Sequence, residues 1–205
     1  MQPVPARVEA LRKRIADEKD PAVKATLERQ VANSLAYLEQ VKEIKVSPPN
    51  VTLDKKMTLF RGGREIQILF FGRGHTDTDI VVYLPKEKIV CTGDLMESVI
   101  SYMGDAYTQD WPATLDALMT LDFDTVMPGH GVVFKGKSRI QEFQRYVRDL
   151  QKQARDLKKA GVAADAAAAR IDMTAFAPTF PQLRAPGVDP AAVRRIYELA
   201  DRLEW

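Results

Sequence analysis

The sequence is poor in the residues that most often announce chemistry: it has one cysteine and two histidines in 205 residues. A single thiol, Cys91, excludes an intrachain disulfide, and its place in an apolar strand-like run marks it as a buried strand residue. Neither sign of charge is in excess. The 30 basic and 28 acidic residues leave a formal net charge of +2, and the two signs are mixed along the chain. That mixture lacks the one-sided basic footprint of a nucleic-acid binder or of a protein drawn to anionic lipid, so neither partner is expected. The opening residues, Met1-Gln2-Pro3-Val4-Pro5, run straight into a charged helical pattern, without the apolar stretch that a secretory signal or a membrane span needs. As written, the sequence points to the cytoplasm; a chain that had lost its original N-terminus would have lost any signal with it. What is present, 45% hydrophobic and 28% charged residues, is the composition of a folded globular protein with one core and room for a helical appendage.

Helical spacing runs from Ala6 to about Val46. Val8, Leu11 and Ile15 form one stripe, Asp20-Pro21 interrupts, and Val23, Leu27, Val31, Leu35, Leu38 and Val41 form a second, which Pro48-Pro49-Asn50 stops. A strand-rich block follows. Thr58–Arg61 and Glu65–Phe71 flank Gly62-Gly63, the chemistry of a tight hairpin turn, and Asp79–Leu84 and Lys88–Thr92 form a second pair turning at Pro85-Lys86. Trp111–Leu121, with Pro112 in its first turn, predicts a short helix, and Phe123–Met127 one more strand broken by Pro128-Gly129. The rest reads as helices over Ser138–Lys159, Ala163–Ile171 and Asp189–Leu203, the last two separated by a proline-punctuated loop over Ala177–Pro186.

Both histidines sit in glycine-flanked loops that follow apolar strands. His75 lies in Gly72-Arg73-Gly74-His75-Thr76-Asp77-Thr78-Asp79, and His130 in Pro128-Gly129-His130-Gly131. Between them, Gly93-Asp94-Leu95 closes the strand Lys88–Thr92 in the same manner. Each feature alone is ordinary: a lone histidine is most often structural, and Gly-Asp is most often a turn. Together they place His, Asp and His at three successive strand ends, with glycines that let the loops come close. Those donors suit zinc, iron or manganese. Asp77 and Asp79 read first as loop-capping residues and second as proton acceptors. Tyr102, Tyr107 and Trp111 read first as core and second as the lining of a substrate pocket.

These motifs resemble those of a known family. Gly74-His75-Thr76 with Asp79, then Thr92-Gly93-Asp94-Leu95, then Pro128-Gly129-His130-Gly131 look like the later three metal motifs of the metallo-β-lactamase superfamily, with Trp111 and Leu115-Asp116-Ala117-Leu118 in the helix between the last two. The resemblance is specific over about Met57 to Gly136. It implies an α/β fold of the αβ/βα sandwich type, in four layers, with a metal cluster at the sheet edge. It also implies that His75 ligates a first metal, that Asp94 bridges two and serves catalysis, and that His130 ligates the second. The activity implied is that of a zinc-type hydrolase, in which a metal-bound hydroxide attacks an ester, thioester or amide of a small-molecule substrate. The superfamily's first motif, His-x-His-x-Asp-His, is not in this sequence, because no third histidine exists. The expectation is therefore a partial domain over 1–159, with helices over 6–46 and the sheet and metal motifs over 57–136, plus a C-terminal helical extension over 160–205. An incomplete site leaves two alternatives open: a metal-binding but inactive remnant, or a structural half-domain that pairs with another chain. Exposed sheet would favour a homodimer.

Overall fold

Gly62 and Gly63 set the first hairpin. Both adopt left-handed backbone, with φ of 57° and 75°, which a two-residue turn between right-twisted strands requires and glycine supplies without a steric penalty. In the computed structural model, which describes residues 4–202, these two residues join β1 (Lys56–Arg61) to β2 (Arg64–Phe70) in antiparallel register, with Arg61 opposite Arg64. A second antiparallel hairpin joins β3 (Ile80–Leu84) to β4 (Ile89–Gly93), with Leu84 opposite Ile89.

The chain then leaves the sheet, forms the helix α3 (Trp111–Leu118) and returns as β5 (Thr125–Pro128), parallel to β4. A short strand, β6 (Phe134–Lys135), pairs antiparallel with β5 and completes a six-stranded sheet in the order β1-β2-β3-β4-β5-β6. Two antiparallel pairings separate β2 from β4, so β2, β4 and β5 run in one direction. Their C-terminal ends meet at one rim, and each is followed by one of the glycine-flanked loops noted above. Sheet topology thus does what sequence distance cannot: it brings positions 75, 94 and 130 to one edge.

One face of the sheet carries Leu69, Val81, Tyr83, Val90 and Val126, all buried. It packs under α3 and the long helix α4 (Ser138–Lys159), whose buried Ile140, Phe143, Gln144, Val147, Leu150, Gln151 and Ala154 recur at helical spacing. Gln144 is tolerated in this core because its amide donates to the Pro112 carbonyl and to Asp116. The opposite face is also apolar, but Leu59, Ile80 and Met127 on it are about half exposed.

The chain forms two compact units, Met1–Thr52 and Leu53–Trp205. In the first, α1 (Val4–Asp17) and α2 (Pro21–Val41) bury Val8, Leu11 and Leu27. Asp20 caps α2 by accepting from the Ala22 and Val23 amides, and Pro21 opens the helix where its missing N–H costs nothing. The second unit does not end where the sequence placed a boundary, at 159/160. Helices α5 (Ala164–Ala168) and α6 (Pro190–Arg202) put Ala167, Ala168, Val193 and Ile196 into the same core as the sheet, because α4 presents apolar residues along its whole length.

Smaller differences have equally local causes. Cys91 is half-buried, since it points to the more open face of the sheet beside Met127. Helix α3 stops at Leu118, short of Leu121, and β6 spans two residues, too few for a strand's alternation to register in the sequence. Leu203 lies outside the described residues. Of the four layers that the resemblance implied, the second unit holds a sheet and one helical layer. Among the described residues, no helix is long and apolar enough to cross a membrane.

Candidate metal centre

The His75 loop is pinned before it reaches its histidine. Arg73 forms an ion pair with Asp110 at 2.6 Å and stacks over the Tyr107 ring, while the hydroxyl of Thr114 donates to the Arg73 carbonyl at 2.7 Å. Gly74 accepts from the Tyr107 amide at 2.8 Å. Beyond the histidine, Asp79 closes the loop, accepting from the Thr76 amide at 2.9 Å and the Thr76 hydroxyl at 2.7 Å. Both of its oxygens are thereby used as a cap, the first of the two roles expected of it.

His75 itself is half-buried. Its Nε2 lies 2.9 Å from the backbone carbonyl of Tyr102. A carbonyl can only accept, so Nε2 carries the hydrogen and Nδ1 keeps a free lone pair. A fixed tautomer held by a backbone carbonyl is the usual support of a metal-ligating imidazole.

Asp94 stands on a tight turn. The Leu95 amide donates to the Thr92 carbonyl, the Thr92 hydroxyl donates to the Met96 carbonyl at 2.7 Å, and the indole N–H of Trp111 donates to the Leu95 carbonyl at 2.8 Å. Leu95 and Met96 are completely buried, and these anchors leave the Asp94 carboxylate at the rim. The His130 loop is tied to the same turn: the Gly129 amide donates to the Gly93 carbonyl and the Ser98 amide to the His130 carbonyl. Glycine at 129 permits this approach, since a Cβ there would lie 2.8 Å from the Gly93 carbonyl carbon and 2.0 Å from Asp94 Oδ1.

The structure thus brings together the three residues singled out in the sequence, though unequally. His130 Nε2 reaches Asp94 Oδ1 at 3.7 Å from the open side of the rim, with its side chain 65% exposed. The tighter group is His75, Asp94 and Glu97, which offer one ligand atom each, all within 4.8 Å of one another. Glu97 escaped the sequence reading. It has no glycine beside it and no motif around it, and only the turn that follows Asp94 swings it back toward His75. Its residue is 3% exposed, and neither carboxylate oxygen has a hydrogen-bond partner of ordinary geometry. Burial pushes its carboxyl above the usual carboxylate range, and the nearby Asp94 charge adds to the rise; the Ser101 side chain, His130 and His75 act against it.

Two carboxylates and an imidazole are the oxygen and nitrogen donors that zinc, manganese or ferrous iron accept. Donors about 2.1 Å from one tetrahedral ion stand roughly 3.4 Å apart, so pairs within 4.8 Å need close by at most about 1.4 Å. A buried carboxylate without partners is the feature that a cation at this spot satisfies.

Of the aromatic residues flagged earlier, Trp111 is core and Tyr107 lies between Arg73 and Arg195. Tyr102 both holds His75 and lines a cleft of about 530 Å³ with Ile100, Leu183, Val188 and Asp189.

Comparison with known proteins identifies the family. The chain is 32% identical over 78 residues to a type 2 metallo-beta-lactamase of Bacillus cereus, a match covering 35% of this chain and 30% of that protein. It is 31% identical over 101 residues to the type 2 enzyme of Bacteroides fragilis, covering 46% of this chain and 40% of that one. The chain therefore spans well under half the length of these relatives. Its fold is similar to that of the stereoselective inverting sec-alkylsulfatase Pisa1 from Pseudomonas sp., with a TM-score of 0.52, 18% identity, and coverage of 74% of this chain and 26% of that one; at this identity the likeness is one of fold alone. The family model of the metallo-beta-lactamase superfamily matches residues 5–130, more than half of the chain, and with His75, Asp94 and His130 gathered on one rim of its sheet, this protein belongs to that superfamily.

Proposed function

We propose that this chain is a metal-dependent hydrolase acting on an ester, thioester or amide of a small-molecule substrate, with zinc, iron or manganese held at the rim by His75, Asp94 and His130. The observation that carries the proposal is the convergence of these side chains, 19 and 36 residues apart in sequence, on the common end of β2, β4 and β5. When bound, a divalent metal lowers the pKa of coordinated water toward neutrality and polarises the bond to be broken. The residues of this chain supply the rest. Tyr102 orients His75 through its carbonyl, and the turn anchored by Trp111 holds Asp94 where it can bind the metal and accept a hydrogen bond from the attacking water. His130, exposed and 3.7 Å from Asp94, would hold the metal from the open side of the rim. The cleft beside Tyr102, with Ile100, Leu183 and Val188 on its walls, fits the apolar part of a substrate.

The test is metal content and turnover of the purified chain. Loading with zinc, manganese or iron followed by elemental analysis is expected to give one or two ions per chain, lost on His75→Ala. Hydrolysis of a panel of esters, thioesters and lactams is expected to disappear with Asp94→Asn. A folded chain that takes up no metal overturns the proposal, whereas one that binds metal without turning over any substrate is the inactive remnant. A pairing role is favoured by one observation, the half-exposed Leu59, Ile80 and Met127 on the second face of the sheet, which suit a homodimer.

A further inference from the structure

We propose that Glu97 is a metal ligand in this protein, so that His75, Asp94 and Glu97 form a one-metal site complete within the chain. The inference rests on the metal-dependent reading above and names the ligand set on which it depends. Three independent features carry it.

The first is position. The ligand atoms of His75, Asp94 and Glu97 lie within 4.8 Å of one another, whereas His130 approaches Asp94 from the exposed side, at 3.7 Å. The second is burial without a partner. At 3% exposure, neither carboxylate oxygen of Glu97 has a hydrogen-bond partner of ordinary geometry, and a buried carboxylate in that state is satisfied by a cation placed against it. The third is constraint. The fully buried Leu95 and Met96 precede it, and Ser98 is tied to the His130 loop, its amide donating to the His130 carbonyl and its hydroxyl accepting from the Val132 amide. Glu97 therefore has little freedom to swing into solvent.

With three protein ligands and one position open to water, this set has the ligand count of a catalytic rather than a closed structural metal site. It also explains how a sequence without the His-x-His-x-Asp-His motif can hold an ion: a carboxylate three residues after Asp94 supplies the missing donor from the same turn.

The experiment uses Co²⁺ as a visible probe on the full chain, with affinity from titration calorimetry and coordination from the absorption spectrum. Wild type is expected to bind one Co²⁺. Glu97→Gln keeps the shape of the side chain and removes its charge, and is expected to lower affinity at least tenfold and change the spectrum at saturation, while melting without metal at the same temperature as wild type or higher. His130→Ala is expected to lower affinity less than Glu97→Gln. If circular dichroism finds Glu97→Gln unfolded, Glu97→Asp, which withdraws the carboxylate by one methylene, is read by the same criteria. Wild-type affinity and spectrum in the Glu97 variant, with binding still lost in His75→Ala, would overturn this proposal alone and make Glu97 a buried neutral acid. No Co²⁺ binding by wild type would overturn the metal-dependent reading itself.

Discussion

Trp111 is the most informative place to perturb the scaffold of the metal centre without touching a ligand. It is 1% exposed, its indole N–H donates to the carbonyl of the fully buried Leu95, and its ring meets His75 and Phe143 edge-on at 5.9 and 5.0 Å between centroids. The substitution Trp111→Phe keeps an aromatic ring against Phe143 but removes the donor and part of the volume. A buried carbonyl left without its donor costs about 1–3 kcal/mol. The lost ring leaves a void of about 40 Å³, which at ~24 cal/mol per Å³ adds roughly 1 kcal/mol. Together these give about 2–4 kcal/mol, or a fall of about 5–15 °C in the melting temperature of a unit of this size. Urea titration by circular dichroism measures the first quantity and calorimetry the second. Because the Leu95 carbonyl is the tether of the turn that carries Asp94, metal affinity is expected to fall at least tenfold even well below the melting temperature. A shift under 2 °C with unchanged affinity would refute the reasoning, since it would mean that the Asp94 turn is held by other contacts.

Two further outcomes are expected. Tyr146 is buried against Phe143 and Phe176, and burial, with Asp189 adding, holds its phenol well above the ordinary tyrosine value of 10.0. The folded chain therefore keeps a proton that the unfolded chain releases, so the stability from this group is complete below pH 10 and is lost above it, by about 1.4 kcal/mol per pH unit. Urea midpoints measured between pH 9 and 11.5 should decline less steeply in Tyr146→Phe than in wild type, and equal slopes would contradict the assignment. On the half-exposed second face of the sheet, Met127→Lys should shift the self-association measured by sedimentation toward monomer, whereas unchanged association, or none in wild type, would remove the homodimer proposal.

Much of this molecule was legible in its residues, because the signals involved are local. Gly62-Gly63 dictates a hairpin through backbone conformation alone, and Pro21 after Asp20 dictates a helix start through capping. The stripe from Ile140 to Ala154 announces a helix with a buried face through its period. His75, Asp94 and His130 stood out because each follows an apolar strand and has glycine beside it. That pattern reports a loop that must approach something closely, as Gly129 does Asp94. Tertiary structure alone decided the rest. Only the strand order and the parallel pairing of β4 with β5 turn three separated loops into one rim. Only the packing of α5 and α6 onto α4 merges the C-terminal helices with the sheet into one core, since amphipathic helices name a buried face but not the surface that buries it. Glu97 is the clearest case: in sequence it is one acidic residue among 28, and its character comes from being folded under with no hydrogen-bond partner beside His75 and Asp94. Burial and the absence of a partner are properties of surroundings, which a linear sequence does not contain.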